Sequence, residues 1–140
     1  MSETKPLAEV ELRIPSRPEY VGVARLAILG VASRMRFSYD EVEDIRLAVG
    51  EACTRSIDRL NGAADGQTIH LRCLIDANRL TIEVRNALTE APPREAPPDI
   101  LNPEAELGGV LIRILMDEVH TEDRPEEGVH LMRMVKYVAR

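Results

Sequence analysis

Two places in the sequence combine residue types that can support phosphate or acid–base chemistry. Glu51 lies on the flank of the segment Ser38–Leu60, off its apolar stripe, and Gly108-Gly109 precede an apolar run. A carboxylate can orient a nucleophile or hold a metal. Glycines that open a helix expose unpaired backbone N–H groups, which bind phosphate. Each feature also fits a plain structural role, a solvated helix residue or a turn.

The segment that carries Glu51 is predicted to be the central helix of the fold, Ser38–Leu60. Ser38 followed three residues later by Glu41 forms a capping-box pattern. Apolar residues then recur at the three- and four-residue spacing of a one-sided helix. They are Val42, Ile45, Val49, Ala52 and Leu60.

A second helix is predicted before it, from Ser16 to about Met35. Gly22 and Gly30 weaken this helix by about 1 kcal/mol each relative to alanine. Small residues also permit close packing, so this helix is a candidate for a partner surface as well as a core face. Its predicted buried side is Val21, Ala24, Ala27, Ile28, Val31 and Met35.

Alternating apolar and polar residues predict five strands. They span residues 9–14, 68–75, 79–86, 118–121 and 129–138. Residues 68–75 and 79–86 are separated by a short turn and predict a β-hairpin. In the last strand Met132 and Met134 have the opposite parity to Leu131 and Val135, which predicts either a bulge or burial on both faces.

The element order predicts an α+β fold, a two-layer α/β sandwich with a mixed, mostly antiparallel sheet and helices on one face. A flexible tail, residues 1–8, precedes a single domain, residues 9–140. Residues 87–106 hold five prolines and predict a lid-type loop, with a tolerated surface loop as the alternative. Leu107–Asp117 is apolar on nearly all sides and predicts a short, well-buried helix.

Composition excludes some classes of function. The 140 residues are 44% hydrophobic and 30% charged, with a net charge of −6, which disfavours nucleic-acid binding. No stretch approaches the roughly 18 apolar residues of a membrane span, so no membrane partner is expected. The N-terminus lacks an apolar signal core. A cytoplasmic protein is therefore expected.

The cysteines and histidines predict no metal site. Cys53 and Cys73 fall at apolar positions of a helix and a strand, which indicates buried thiols in a reducing compartment. His70, His120 and His130 are far apart in the sequence. They are interpreted as solvated strand residues.

Three runs of the sequence resemble the bacterial anti-sigma-factor serine kinases. The runs are PEYVGVARLAILGVASRM, YDEVEDIRLAVGEACT and LMDEV, and the resemblance extends from about Val10 to Val138. These proteins belong to the GHKL ATPase superfamily, whose fold is shared with histidine kinases and gyrase. The resemblance implies binding of a sigma factor and of an anti-anti-sigma (STAS-type) protein. It further implies serine phosphorylation with ATP and Mg²⁺, and a homodimer.

The resemblance assigns a role to the central helix. Glu51 matches the family's general base. The asparagine that holds Mg²⁺ in the family, four residues later, is Arg55 here. Arg25, on the first helix, matches an arginine of the partner-binding face, although a solvated helix arginine remains an equal alternative.

Other nucleotide-binding positions depart from the family pattern. Asn86 replaces the aspartate that bonds the adenine amino group, and Leu88 replaces a glycine. In the second glycine motif Gly108 matches, Glu106 replaces a glycine, and Gly109 substitutes by a shift of one residue. An arginine brings positive charge to a metal position, and Asn86 lacks the charge of a carboxylate.

These departures predict an anti-sigma regulatory factor with a degenerate nucleotide site. The alternative is an active ATP-dependent serine kinase acting on the anti-anti-sigma partner. A third hypothesis is a switch protein in a related phosphorylation module whose target is not a sigma factor.

Overall fold

The structure is a computed structural model that describes residues 6–60, 66–88 and 103–139, with backbone alone for 103–106. Its five strands form one sheet in the order β1-β2-β3-β5-β4, and every described pairing is antiparallel. The strands are β1 Ala8–Pro15, β2 Thr68–Ile75, β3 Arg79–Ala87, β4 Glu118–Arg124 and β5 Val129–Tyr137. The helices are α1 Val21–Ala32, α2 Tyr39–Leu60 and α3 Pro103–Leu115.

The α+β sandwich expected from the sequence is confirmed, with the helices packed over one face of the sheet. Buried residues of α1 and α2, among them Ile28, Ile45 and Val49, join Leu71 and Ile82 of the sheet in one apolar core. Removing this apolar surface from water is the main contribution to stability. The sheet is antiparallel in all described pairings rather than mixed.

The central helix begins as predicted. The Ser38 N–H donates to Glu41 Oε1 at 2.8 Å, and the Glu41 N–H donates to Ser38 Oγ at 3.1 Å. This reciprocal cap satisfies two backbone donors that the first turn leaves unpaired. Thr54, on the exposed side of the helix, donates its hydroxyl to the Gly50 carbonyl at 3.0 Å.

The first helix is shorter than predicted. A 3-10 turn, Pro18–Tyr20, leads into α1, which ends at Ala32 rather than near Met35. Its fully buried side is Val21, Ala24, Ile28 and Ala32. Its other side leaves Val23 and Leu26 exposed, at 46% and 69%. The helix therefore has an apolar outer surface in the isolated chain.

Both sides of β5 are buried, and the register with β3 is unbroken from Arg79↔Tyr137 to Ala87↔Val129. Met132 and Met134 face the helix layer, while Leu131 and Val135 are buried on the opposite side. The burial of both faces, one of the two predicted explanations, accounts for the sequence pattern without a bulge.

The last helix differs most from expectation. It begins at Pro103, four residues before the predicted start. Ile112 within the helix and Met116 just after its end are buried. Leu107 and Ile114, by contrast, are 65% and 72% exposed. The prediction of an all-round buried helix is therefore wrong, because only one stripe packs on the core. The predicted lid falls mostly on residues 89–102, which lie outside the described part of the chain.

The two cysteines are buried and unpaired, as predicted. Burial raises the pKa of Cys53 and of Cys73 to about 12, so both remain neutral thiols. No helix within the described ranges is long and apolar enough to cross a membrane.

Candidate functional site

The structure brings Glu51 against α3. A Cβ atom added to Gly108 would stand 2.1 Å from Glu51 Oε2 and 2.9 Å from its carboxyl carbon. The carboxylate therefore occupies the space that a side chain at position 108 would need. Glu51 is half-buried, and its carboxylate packs against α3 rather than extending freely into solvent.

Arg55 lies one helical turn further along the same surface of α2. A Cβ atom on Gly109 would lie 3.5 to 3.6 Å from its guanidinium atoms, which is ordinary van der Waals contact. Residues four apart on a helix share a face, so Glu51 and Arg55 present opposite charges to adjacent glycines of α3. Four predicted site residues thus come together.

The two glycines do not open the helix, as the sequence had suggested. Because α3 begins at Pro103, Gly108 and Gly109 are preceded by five helical residues. Only about the first four N–H groups of a helix lack an intrahelical partner. The prediction that Gly108-Gly109 open the helix is therefore wrong, and their assignment to the nucleotide site stays a prediction. Their lack of side chains instead gives room to Glu51 and Arg55.

Asn86 is buried, at 4% exposure, near the end of β3 on the side of the helices. Its Nδ2 donates to the Ala87 carbonyl at 3.0 Å, and its Oδ1 has no hydrogen-bond partner among the described residues. Leu88, which follows β3, donates its backbone N–H to the Gly128 carbonyl at 2.9 Å. A buried acceptor without a partner is costly, so Asn86 is suited to a ligand that offers a donor.

His130 is a site residue that the sequence interpretation missed. It was taken as solvated, but it is 6% exposed and lies directly opposite Asn86 in the sheet. Its Nδ1 lies 2.6 Å from Asp123 Oδ1. Its parity with Met132 and Met134, on the core side of β5, was the available signal. His70 is half-buried and His120 is exposed.

Charges around His130 connect it to the end of α2. Burial lowers the pKa of His130, the Asp123 hydrogen bond opposes this, and the charges of Arg59 and Arg55 lower it further. Burial lowers the pKa of Arg59, and the positive charge of Arg55 lowers it further. A neutral His130 and two arginines therefore share this side of the site.

Arg25 lies between α1 and α2 rather than on the outer surface. A Cβ atom on Gly50 would stand 2.3 Å from Arg25 Nε, so the guanidinium crosses α2 directly over this glycine. Its buried Nε has no hydrogen-bond partner in the described part of the chain. Its charge also reaches Cys53, where it opposes the effect of burial on the thiol pKa.

The remaining predicted residue, Glu106, belongs to α3 through its backbone, and its side chain lies outside the description. Within residues 6–60, 66–88 and 107–139 no group of three or more His, Cys, Asp or Glu side chains is arranged to hold a metal ion.

Comparison with known proteins identifies the family. Residues 14–136 match the histidine kinase-like ATPase domain. The chain is 37% identical to a serine-protein kinase RsbW of Bacillus pumilus, over 87% of this chain and 82% of that protein. It is 35% identical to the serine-protein kinase RsbW of Oceanobacillus iheyensis, over 93% and 87%.

A solved structure agrees in fold. The crystal structure of the RsbU and RsbW domains of a Mycobacterium tuberculosis protein superposes with a TM-score of 0.70 at 11% identity. It covers 96% of this chain, which spans 34% of that longer protein. With the sequence matches over most of its length, the chain belongs to the histidine kinase-like ATPase family and, within it, to the RsbW serine-protein kinases.

Proposed function

We propose that this protein is an anti-sigma regulatory factor that binds a sigma factor and an anti-anti-sigma protein, with a nucleotide site that no longer supports ordinary Mg²⁺-ATP binding. Membership of the RsbW family supports the regulatory role. The observation that carries the second part is the position of Arg55, whose guanidinium lies against Gly109 one turn from Glu51.

The residues present do not fit Mg²⁺. This ion requires oxygen ligands in near-octahedral geometry. Arg55, at the position where the family implies a metal-binding asparagine, offers N–H donors and no acceptor. Its positive charge opposes a cation in the same place, one helical turn from the Glu51 carboxylate.

The rival function is an active serine kinase, and Glu51 is the observation in its favour. The carboxylate is held at the α2–α3 contact, where the family's general base is expected, and Gly108 leaves space for it. The relatives at 35–37% identity carry the name serine-protein kinase. A remodelled site in which Arg55 contacts phosphate directly would preserve this activity.

Calorimetric titration with ATP, with and without Mg²⁺, separates the two. We expect no micromolar, Mg²⁺-dependent binding and no transfer of radiolabelled phosphate to an anti-anti-sigma partner. We further expect Arg55→Asn alone to leave phosphotransfer absent, because Asn86, Leu88 and Glu106 also depart from the family pattern. Micromolar Mg²⁺-dependent affinity in the natural chain would overturn the degenerate site and favour the kinase.

The outer surface of α1 is proposed as the sigma-binding face. Gly22 and Gly30 have nothing within 4 Å of an added Cβ atom, and Leu26 is 69% exposed. An exposed apolar strip of this kind is suited to covering by a partner. Arg25 lies beside this face, at the α1–α2 contact, where the missing side chain of Gly50 leaves room for its guanidinium.

Leu26→Glu, with Ile114→Glu as a matched control, tests this face. Both positions are exposed leucine or isoleucine side chains on helices, at 69% and 72%. We expect Leu26→Glu to weaken sigma-factor binding at least tenfold in a pull-down or surface-binding assay, and Ile114→Glu to leave it unchanged. Equal binding by both variants would contradict the assignment. Sedimentation of the natural chain tests the expected homodimer.

A further inference from the structure

We propose that the open face of the sheet, opposite the helices, carries a site for a small phosphate-type anion formed by Arg13, His70 and Arg85. These residues stand on three adjacent strands and are directly opposite one another, as Arg13↔His70 and His70↔Arg85. The three basic side chains lie on the other side of the sheet from the nucleotide site, so the proposal does not rest on the proposed function, although Asn86 also borders the pocket that they line.

The three side chains form a row of basic residues across three strands, with no acidic residue between them. Residues directly opposite in an antiparallel pair have Cβ atoms about 4.5–5.5 Å apart, and like charges there are destabilising. The adjacent row of the same face alternates in sign, as Glu11–Arg72–Glu83–Arg133. The row of basic residues therefore contrasts with a neighbouring row that follows the stabilising pattern.

Neighbouring carboxylates compensate the row only in part. Glu11 lies 3.4 Å from His70 Nε2, and Glu83 lies 3.6 Å from Arg85 Nη2. Glu83 also serves Arg133 at 3.2 Å, so its single charge is divided. Arg13 forms no ion pair within 4.0 Å in the described part of the chain. Net positive charge therefore remains at the end of the row next to β1.

An open surface pocket of about 250 Å³ is lined in part by this row. Its wall includes the three basic residues together with Gln67 and Thr68, which add amide and hydroxyl groups. Pockets for drug-sized ligands usually measure about 300–1,000 Å³, so this one is suited to a small ligand. Arginine is the side chain that best recognises phosphate, through its planar array of donors. Inorganic phosphate or a small phosphomonoester fits both the size and the charge.

Phosphate titration by NMR tests the site, with chloride at matched ionic strength as reference. We expect phosphate, and not chloride, to shift the amide signals of Gln67, Thr68 and His70 with millimolar affinity. Arg13→Gln should weaken this binding at least tenfold. Arg79→Gln is the matched control, because Arg79 lies on the same face of β3 but at its other end, paired with Asp76 at 3.0 Å. It should bind as the natural chain does.

Thermal unfolding provides a second readout that a folding defect would not mimic. Without phosphate, Arg13→Gln should unfold at about the same temperature as the natural chain, since Arg13 is exposed and forms no ion pair within 4.0 Å in the described part of the chain. With phosphate, the natural chain and Arg79→Gln should gain more than Arg13→Gln, beyond the general stabilisation that phosphate gives to proteins. Equal gains in all three proteins, or identical shifts with chloride, would overturn the site. Glycerol 3-phosphate in place of phosphate shows whether a phosphomonoester is accepted.

Discussion

The two faces of the sheet are stabilised in different ways. The face covered by the helices presents fully buried apolar side chains, such as Leu71 and Ile82 at 1% and 0% exposure. The open face also buries its centre, with Glu83 at 4% and Leu131 at 2%. No described helix lies over it, so the burial comes from long neighbouring side chains, whose apolar stems cover the sheet while their charges face water.

The open face therefore depends on the arrangement of charge rather than on apolar area. Arg72 Nε donates to Glu9 Oε2 at 2.6 Å, and Arg133 Nη2 donates to Glu83 Oε2 at 3.2 Å. Across the strands these charges alternate in sign, which is the favourable pattern for cross-strand pairs. A covered face tolerates exchanges among apolar residues of equal volume, whereas the centre of an open face of this kind is stabilised by the pairing of opposite charges.

Truncation on the covered face should have the largest effect on stability. Ile82→Ala removes a fully buried side chain at the centre of β3 and leaves a cavity under α2. We expect the free energy of unfolding to fall by about 2–5 kcal/mol. Urea denaturation measures it. Arg79→Gln, an exposed substitution on the same strand, should change it by less than about 0.5 kcal/mol. A loss for Ile82→Ala no larger than this control would contradict the comparison.

A charge removal on the open face should have the next largest effect. Glu83→Gln keeps the side-chain shape but leaves Arg72, Arg85 and Arg133 facing one another, all within 3.7 Å of its carboxylate now. We expect a loss of about 1–3 kcal/mol, below the value for a fully buried pair because the arginines are partly solvated. High salt should reduce the loss by screening the repulsion. A loss that is independent of salt would indicate packing rather than charge.

The covered face was the more predictable of the two. The alternation of β2 and β3 and the spacing of α2 identify its core residues directly, because burial under a helix layer follows the period of the element. The capping box at Ser38 likewise fixes a helix start from local chemistry alone. Such features depend on neighbours in sequence, which is why they were read correctly.

Features that depend on distant neighbours were not predictable in this way. Gly108-Gly109 looked like a helix start because residues before 107 have few apolar anchors, yet α3 extends back to Pro103. The glycines leave room for Glu51 and Arg55, and these two residues lie more than 50 residues earlier in the chain. The parity of His130 with Met132 and Met134 indicates its burial, but its place opposite Asn86 is set by the β3–β5 register, which no local pattern reveals.

The pH dependence of stability should report the polar end of the covered face. Because burial lowers the pKa of His130 from 6.5, the unfolded chain binds a proton before the folded chain does. The free energy of unfolding should therefore decline as the pH falls below about 6.5. His130→Gln should flatten this part of the profile, measured by urea denaturation at several pH values.

Asp123→Asn provides the converse test of the same group. The Asp123 hydrogen bond opposes the effect of burial on the pKa of His130. Its removal should lower that pKa further, as followed by the NMR signals of the imidazole ring. A pKa above 6.5 in the natural chain would show that the Asp123 contact outweighs burial, and an increase of the pKa in Asp123→Asn would contradict the contact itself.

The smallest effects on stability are expected from replacing helix glycines with alanine. The effect depends on whether the added methyl group has free space or meets another side chain. Gly30→Ala and Gly109→Ala should each raise the free energy of unfolding by up to about 1 kcal/mol, because alanine is the better helix former and neither added methyl group meets a close contact. Gly108→Ala should gain less or lose stability, since the methyl group would stand 2.1 Å from Glu51 Oε2. Adding Glu51→Ala to Gly108→Ala should restore the gain, because it removes the group that the methyl displaces, and the non-additivity measures their contact. If Gly108→Ala alone stabilises as much as Gly109→Ala, then Glu51 does not rest against α3 in solution.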